Sequence, residues 1–271
     1  MGKFDGILFC TDLDDTLLDK EKNVSKENLE AIEYFKNNGG TFTFVTGRTH
    51  LGIGAVLSQV EPNTVIGTLN GGAIYDHKQN KNIMEIEIGE GFVELLEFID
   101  KEFPDIGFEV MCHDNCWICK QNDIVIRHIN HEKLPLITCD YHNVPGKRGK
   151  VLIVGETHRI DALIPELKKQ KNAKDFDFVR STRHYYEILP KGSNKGNLLK
   201  EIAKINGIDI SKTIAVGDND NDLKMLEYAG CGFAVENATD SAKKAADRIT
   251  VSNLESAVAK IIKELDEGLI F

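Results

Sequence analysis

Short apolar runs that end abruptly in polar residues recur near both ends of the chain. Residues 7–10 precede a group of aspartates, residues 41–45 precede a polar turn, and residues 213–216 precede a second acidic group. Runs of this length, separated by helical patterns, are typical of buried strands in a parallel sheet. The sequence therefore predicts an α/β fold with a Rossmann-like parallel-sheet core.

Helical patterns follow these predicted strands. Ser25 can cap a helix with apolar positions at Leu29, Ile32 and Phe35, and a second pattern runs from Leu51 to Val60. A third helix opens near Lys195. Because strand–helix–strand alternation implies right-handed crossovers, polar residues after the strands are expected to gather at one edge of the sheet.

The middle of the chain lacks this simple alternation, which predicts an inserted α+β domain. We expect a hairpin around residues 70–72 before it. The predicted strands of the insertion cover residues 83–88, 106–112, 116–120, 124–129, 151–154, 176–180 and 185–189, and its helices cover residues 92–103 and 160–169. The predicted domains are residues 1–80 and 187–271 for the core and residues 81–186 for the insertion.

The amino-acid composition excludes several classes of binding partner. The 271 residues carry a formal net charge of −10 without a basic stretch, which argues against nucleic acid or an anionic membrane surface. No apolar segment reaches the roughly 18 residues of a membrane span, and the first residues lack the pattern of a signal peptide. We expect a cytoplasmic protein that is a monomer or a homodimer, and composition leaves room for a small phosphorylated ligand only where local cations offset the acidic background.

The cysteines add one alternative. Cys112, Cys116 and Cys119 lie close together in the sequence, with Cys139 and His142 further along. The spacing lacks the paired CxxC pattern of a zinc site, and the first three fall in strand-like sequence. The cysteines are therefore expected to be reduced rather than metal ligands.

The acidic group at Asp12, Asp14 and Asp15 has two interpretations. Aspartates favour helix caps and turns, but three within four positions repel one another unless a cation lies among them. The residues at the other predicted strand ends favour the cation interpretation. They are Thr46, Lys195, Asp218, Asn221 and Asp222. Carboxylates from Asp12, Asp14 and Asp218 suit Mg²⁺, and a hydroxyl, an amine and an amide suit a phosphoryl group. This set predicts phosphoryl transfer.

The sequence resembles the haloacid dehalogenase superfamily, whose four motifs occur here in order. The motifs match residues 12–17, residues 44–48, Lys195 and residues 217–222. The insertion is similar to the type IIB cap of the Cof-like branch, as are residues 70–73 and 187–192 at its junctions. The resemblance implies a phosphatase with a cap that sets specificity.

The resemblance also implies roles for individual residues. Asp12 would be the nucleophile that forms an aspartyl-phosphate, and Asp14 would protonate the leaving alcohol and then activate water. Magnesium would be held by Asp12, Asp218 and the backbone carbonyl of Asp14, with Asp222 in support. The implied phosphate and substrate contacts are Thr46, Gly47, Arg48, Lys195 and Asn221. Asp15 replaces the glycine usual at its position, and we assign it to the turn.

The predicted function is magnesium-dependent hydrolysis of small phosphomonoesters, with sugar phosphates favoured by the resemblance. One alternative is a phosphomutase, which would isomerise a sugar phosphate and release little phosphate. A second is a sensor that binds a phosphorylated ligand without turnover.

Overall fold

The computed structural model describes residues 2–271 as two units. One comprises the residues up to Ile83 together with Asn194–Phe271, and the other comprises Met84–Ser193. These boundaries lie a few residues beyond the predicted ones at 80/81 and 186/187. The last strand of the inserted unit continues to Pro190, and the second boundary therefore lies beyond this residue.

The first part of the chain alternates strands with helices, as predicted. It contains β1 (Leu8–Thr11), α1 (Lys26–Asn37), β2 (Thr41–Phe44), α2 (Gly54–Leu57), β3 (Ile66–Thr68), β4 (Ala73–Asp76) and β5 (Lys81–Glu85). The hydroxyl of Ser25 caps α1 by accepting a hydrogen bond from the N–H of Asn28. The predicted hairpin is present, because β3 and β4 pair antiparallel.

Two sequence predictions for this part are wrong in detail. The helix expected from Leu51 to Val60 is reduced to a 3₁₀ turn at His50–Gly52 and the four-residue α2. Gly52 and Gly54 lie inside the predicted helix, and glycine is the least favourable helical residue after proline. The strand expected at residues 83–88 is β5, displaced toward the N-terminus.

The inserted unit is an α+β domain. It contains α3 (Phe92–Glu102), β6 (Gly107–Cys112), β7 (Cys116–Lys120), α4 (Asp123–Glu132), β8 (Arg148–Val154), α5 (Thr157–Lys168), β9 (Phe176–Thr182) and β10 (Tyr185–Pro190). The five strands pair antiparallel in the order β7-β6-β8-β10-β9. A cluster of buried apolar side chains from the sheet, α3 and α5 forms its core.

The strand predicted at residues 124–129 is a helix in the structure, and that prediction is wrong. Oδ1 of Asn122 accepts hydrogen bonds from the N–H groups of Ile124 and Val125, at 3.1 and 2.9 Å, and so starts α4. The buried residues of α4 are Ile124, Val125, His128 and Ile129, a helical spacing. The β-branched residues of this segment favour a strand, and the sequence pattern therefore did not predict the helix.

The chain then completes the core. This last part contains α6 (Lys195–Ile205), β11 (Thr213–Gly217), α7 (Leu223–Tyr228), β12 (Cys231–Ala234), α8 (Asp240–Ala245), β13 (Arg248–Ile249) and α9 (Ala257–Asp266). The core sheet has the order β13-β12-β11-β1-β2, and all of its pairings are parallel. The predicted α/β core with an inserted α+β domain is confirmed. None of the helices within residues 2–271 is long and apolar enough to cross a membrane.

Candidate active site

The acidic residues that end two neighbouring strands come together at one edge of the core sheet. Asp12 follows β1 and Asp218 follows β11, which pair in parallel with Thr11 opposite Val216. Parallel pairing aligns the carboxyl ends of the strands, which explains why residues so distant in sequence meet here. Asp222 joins them, and one ligand atom from each of the three lies within 4.8 Å of the others.

Lys195 lies at the centre of this acidic group. Its Nζ is 2.7 Å from Oδ1 of Asp12 and 2.7 Å from Oδ1 of Asp222, and its side chain is fully buried. Burial opposes the charge on the lysine, but the two carboxylates outweigh it and raise the pKa of Lys195. The ammonium group therefore stays charged and fixes the carboxylate of Asp12.

Asp222 supports the site through both of its oxygens. Oδ1 accepts from Lys195, and Oδ2 accepts from the N–H groups of Asp218 and Asn219 at 2.9 and 3.1 Å. Gly217 permits this approach, because a Cβ there would lie 2.5 Å from Cβ of Asp222. With both oxygens bound by protein donors, Asp222 is suited to positioning Lys195 and the Asp218 loop rather than to holding a metal.

Asp218 is oriented by a residue that sequence reasoning did not select. Oγ1 of Thr16 donates a hydrogen bond to Oδ1 of Asp218 at 2.8 Å, across the two acidic loops. Thr16 is fully buried, and its hydroxyl is the kind of group that orients a ligand carboxylate. Thr16 lies in the first motif, which was the one sequence signal for a functional role. A threonine at that position is equally well explained as a turn residue.

The electrostatics of the group suit a cation. Burial raises the pKa of Asp12 to about 7, with Lys195 opposing the rise and Asp222 adding to it. Burial and the neighbouring carboxylates of Asp222 and Asp12 likewise hold the pKa of Asp218 well above its usual range. Oxygen ligands with this excess of negative charge are those that Mg²⁺ prefers. Among the described residues, the one group of three or more potential metal ligands close together comprises Asp12, Asp218 and Asp222, and Asp222 adds its charge while protein donors hold both of its oxygens.

Asp14 faces two basic residues instead of this cluster. Nε and Nη2 of Arg48 donate to its two carboxylate oxygens, and Nζ of Lys22 donates to Oδ1 at 2.7 Å. The carboxylate of Asp14 is therefore not placed with those of Asp12 and Asp218. Sequence reasoning did not select Lys22, which lies in a hairpin without a motif.

The remaining predicted contacts surround Thr46, which follows β2 and is buried. Its Oγ1 accepts a hydrogen bond from the N–H of Arg48 at 3.2 Å, and its carbonyl accepts from the N–H of Asn70. Gly47 leaves room for Asn70, whose Nδ2 would lie 2.9 Å from a Cβ at that position. Nδ2 of Asn221 donates to Oδ1 of Asn70 at 3.1 Å. Asn70 thus links the second motif to the fourth.

The Oδ1 atom of Asn221 is buried and has no hydrogen-bond partner in the described part of the chain. An unpaired buried amide oxygen is costly. Since the opposite side of this amide is held by Asn70, the orientation of Asn221 is fixed. The atom is therefore a polar group available to a ligand or to water.

Asp15 occupies a turn position, as predicted. Its φ angle is +56°, in the left-handed region that favours glycine and tolerates aspartate better than most residues. This backbone conformation explains why glycine would suit the position.

The cysteines are free thiols, and none of them belongs to the acidic cluster. Sγ of Cys116 donates to Oε2 of the buried Glu109, and Sγ of Cys112 donates to the carbonyl of Pro145. Burial is the main cause that raises the pKa of Cys112, to about 12. These thiols are held in their protonated form by their surroundings.

Comparison with known proteins places this geometry in context. Residues 9–262 match the family model for haloacid dehalogenase-like hydrolases. A putative phosphatase of Streptococcus pyogenes is 28% identical over 266 residues, covering 95% of this chain and 97% of its own. The 5-amino-6-(5-phospho-D-ribitylamino)uracil phosphatase YitU of Bacillus subtilis is 28% identical over 269 residues, covering 95% and 96%.

Solved structures share the fold over nearly the whole chain. A haloacid dehalogenase-like hydrolase of Bacteroides thetaiotaomicron has a TM-score of 0.81 at 25% identity, covering 96% of this chain and 99% of its own. The subclass IIB sugar phosphatase BT4131 has a TM-score of 0.84 at 20% identity, with the same coverage of 96% and 99%. The similarity therefore includes both the sheet core and the inserted domain.

Proposed function

Because the chain belongs to the haloacid dehalogenase-like hydrolase family, as a phosphoric monoester hydrolase, we propose that it hydrolyses small phosphomonoesters with Mg²⁺. The favoured substrates are sugar phosphates. One similar protein is named for a phospho-D-ribitylamino substrate and another as a sugar phosphatase, which supports a phosphorylated polyhydroxy compound. The proposal includes a cytoplasmic location, a small phosphorylated metabolite as partner, and a monomer or homodimer.

The observation that best supports this proposal is the ion pair between Lys195 and Asp12. A fully buried ammonium group lies 2.7 Å from a carboxylate whose pKa burial raises to about 7. The lysine favours the ionised form of Asp12, which is the form that attacks phosphorus. It also lies where it can offset charge on the phosphoryl oxygens.

The reaction then proceeds in two steps on these residues. A carboxylate oxygen of Asp12 bonds to phosphorus while the bond to the leaving oxygen breaks, and Asp14 donates its proton to that oxygen. Water next attacks the phosphorus of the aspartyl-phosphate and gives a proton to Asp14. The bond to Asp12 breaks, which releases phosphate and regenerates the carboxylate.

The other residues bind and orient the groups that react. Thr46, Gly47, Lys195 and Asn221 would contact the phosphoryl oxygens, and Arg48 would contact the substrate and Asp14. Mg²⁺, held by Asp12, Asp218 and the backbone carbonyl of Asp14, would supply positive charge beside the phosphoryl group. The donor set fits this ion because the described residues bring these buried carboxylates together.

The decisive experiment replaces the nucleophile. We expect Asp12→Asn to abolish phosphate release from p-nitrophenyl phosphate and from a panel of sugar phosphates, while circular dichroism shows a folded protein. Asp19→Asn is the matched control, because an asparagine there still accepts the hydrogen bond from the N–H of Asn23. Undiminished activity of Asp12→Asn would refute the mechanism.

The same assays distinguish the alternatives. A phosphomutase would convert one sugar phosphate into its isomer with little free phosphate. A sensor would bind phosphorylated ligands tightly without Mg²⁺ and without turnover. The proposed phosphatase releases phosphate only when Mg²⁺ is present.

A further inference from the structure

Two asparagine amides hold the loop that carries Asp14 and Thr16. Nδ2 of Asn237 donates to the backbone carbonyl of Asp15 at 2.8 Å. Nδ2 of Asn253 donates to the backbone carbonyl of Leu18 at 2.9 Å, in a buried contact. Asp15 and Leu18, which carry these carbonyls, lie on either side of Thr16, and Asp15 directly follows Asp14. The loop is thus fixed at two points next to the groups that orient Asp218 and transfer the proton.

The two asparagines are also joined to each other. The backbone N–H of Asn253 donates to Oδ1 of Asn237 at 3.0 Å, so that Asn237 uses both ends of its amide. Both residues lie after the core strand β12, more than two hundred positions from the loop in sequence. They belong to none of the four motifs and act as one connected support.

The backbone N–H groups inside this loop converge on a single acceptor. The N–H groups of Leu17 and Leu18 both donate to the carbonyl of Leu13, at 3.0 and 2.9 Å. Asp15 meanwhile has a positive φ angle, in the left-handed region that disfavours residues with a side chain. A strained turn persists only when its surroundings hold it, and the two amides are the contacts that hold its backbone carbonyls at Asp15 and Leu18.

We propose that Asn237 and Asn253 are positioning residues for phosphoryl transfer. They act through the backbone of residues 13–18 by keeping Asp14 in place for proton transfer and Thr16 in contact with Asp218. This inference rests on the proposed phosphatase function. The phosphate contacts at Thr46 and Lys195 come from other elements, so the two amides affect the chemical step more than substrate binding.

The expected size of the effect follows from the geometry. A displacement of about 1 Å in a reacting group can cost about a hundredfold in rate. Loss of one amide leaves the internal turn and the second amide in place, so the displacement is smaller. We expect kcat to fall about tenfold in each single variant, with KM changed less than about twofold.

The test compares each variant with a control that loses hydrogen bonds between an asparagine amide and the backbone elsewhere in the core unit. Asn237→Ala is paired with Asn63→Ala. The Asn63 amide likewise spans two backbone groups, donating to the carbonyl of Gly40 at 2.9 Å and accepting from the N–H of Phe42 at 2.7 Å. Asn253→Leu is paired with Asn28→Leu, since Asn28 is also buried and accepts from the N–H of Ala259.

The readouts are kcat and KM for p-nitrophenyl phosphate with Mg²⁺ at 25 °C, together with the Tm of each variant. We expect the members of each pair to lose similar Tm, whereas only Asn237→Ala and Asn253→Leu lose kcat. Equal kcat values within each pair would overturn the inference, because the amides would then serve stability alone. An inactive wild-type protein would instead refute the proposed function, so the two failures are distinguishable.

Discussion

Arg48 and Asp14 form a two-point ion pair, in which Nε donates to Oδ2 at 2.8 Å and Nη2 donates to Oδ1 at 2.6 Å. Burial would raise the pKa of Asp14, but Arg48 and then Lys22 outweigh it and hold that pKa well below its usual range. An ionised carboxylate can accept the proton of water but has none to donate. In the proposed mechanism the pair must therefore loosen before Asp14 can protonate a leaving group.

Replacing Arg48 tests this relationship. Since Arg48 lowers the pKa of Asp14, Arg48→Met raises it, and the step that needs ionised Asp14 is lost at a higher pH. We expect the acidic limb of the kcat profile to move toward neutral pH, with kcat/KM reduced by about tenfold or more. Arg159→Met is the control, because Arg159 makes a similar two-point pair with Asp105 in the inserted unit. An unmoved acidic limb would contradict the assignment.

Lys195→Met should damage both activity and stability. The variant leaves the buried carboxylates of Asp12 and Asp222 without their shared cation. Removing one partner of a buried ion pair typically costs about 3–5 kcal/mol. We expect the free energy of unfolding of the core to fall by that amount and phosphate release to fall below one hundredth of the wild-type rate. Chemical denaturation and steady-state kinetics measure the two effects, and a variant with wild-type kcat would exclude the proposed role.

Thr16→Val should weaken magnesium binding. Valine keeps the shape of threonine but removes the hydroxyl that donates to Oδ1 of Asp218. Loss of such an orienting group commonly costs about 10–100-fold in metal affinity. Isothermal titration with Mg²⁺ measures this directly. Thr43→Val is a suitable control, since that hydroxyl donates to the carbonyl of Val65 instead. Equal affinities in the two variants would show that Thr16 does not orient the ligand.

The inserted unit should become less stable as pH rises. Nδ1 of His128 on α4 lies 3.0 Å from Oε1 of the buried Glu109 on β6. Burial lowers the pKa of His128, but Glu109 outweighs it, with a smaller contribution from Glu132, and the pKa is raised. A raised histidine pKa contributes stability that is complete below its unfolded value of about 6.5. That contribution is lost as pH rises through the higher folded pKa.

Hydrogen exchange of the α4 amides tests this pH dependence. We expect the protection of α4, relative to the same amides in His128→Gln, to decrease as pH rises from 6 to 9. The exchange rates must first be corrected for the intrinsic effect of pH. A protection difference that grows with pH would show the opposite sign and refute the assignment of the charged pair.

The sequence predicted the meeting of Asp12 and Asp218 because parallel strands align their carboxyl ends, a rule that needs no side-chain detail. It did not predict that the carboxylate of Asp14 turns to Arg48 and Lys22, since motif order says nothing about side-chain direction. The helix at α4 was missed because Val125 and Ile126 favour strands, while the cap at Asn122 and the packing decide the outcome. Asn237 and Asn253 carry no local signal, because their contacts depend on the complete fold.

The position of β1 in the core sheet sets the order in which the catalytic centre can form during synthesis. One edge of β1 pairs with β2, which soon follows it, but the other edge pairs with β11, where Leu8 lies opposite Thr213. A nascent chain that has just completed the inserted unit thus contains Asp12, the proposed nucleophile, but neither Asp218 nor the second partner strand of β1. Pairing over so long a sequence separation is slow. Until β11 emerges from the ribosome, β1 keeps an open edge at which another strand can pair, so aggregation is a risk at this stage.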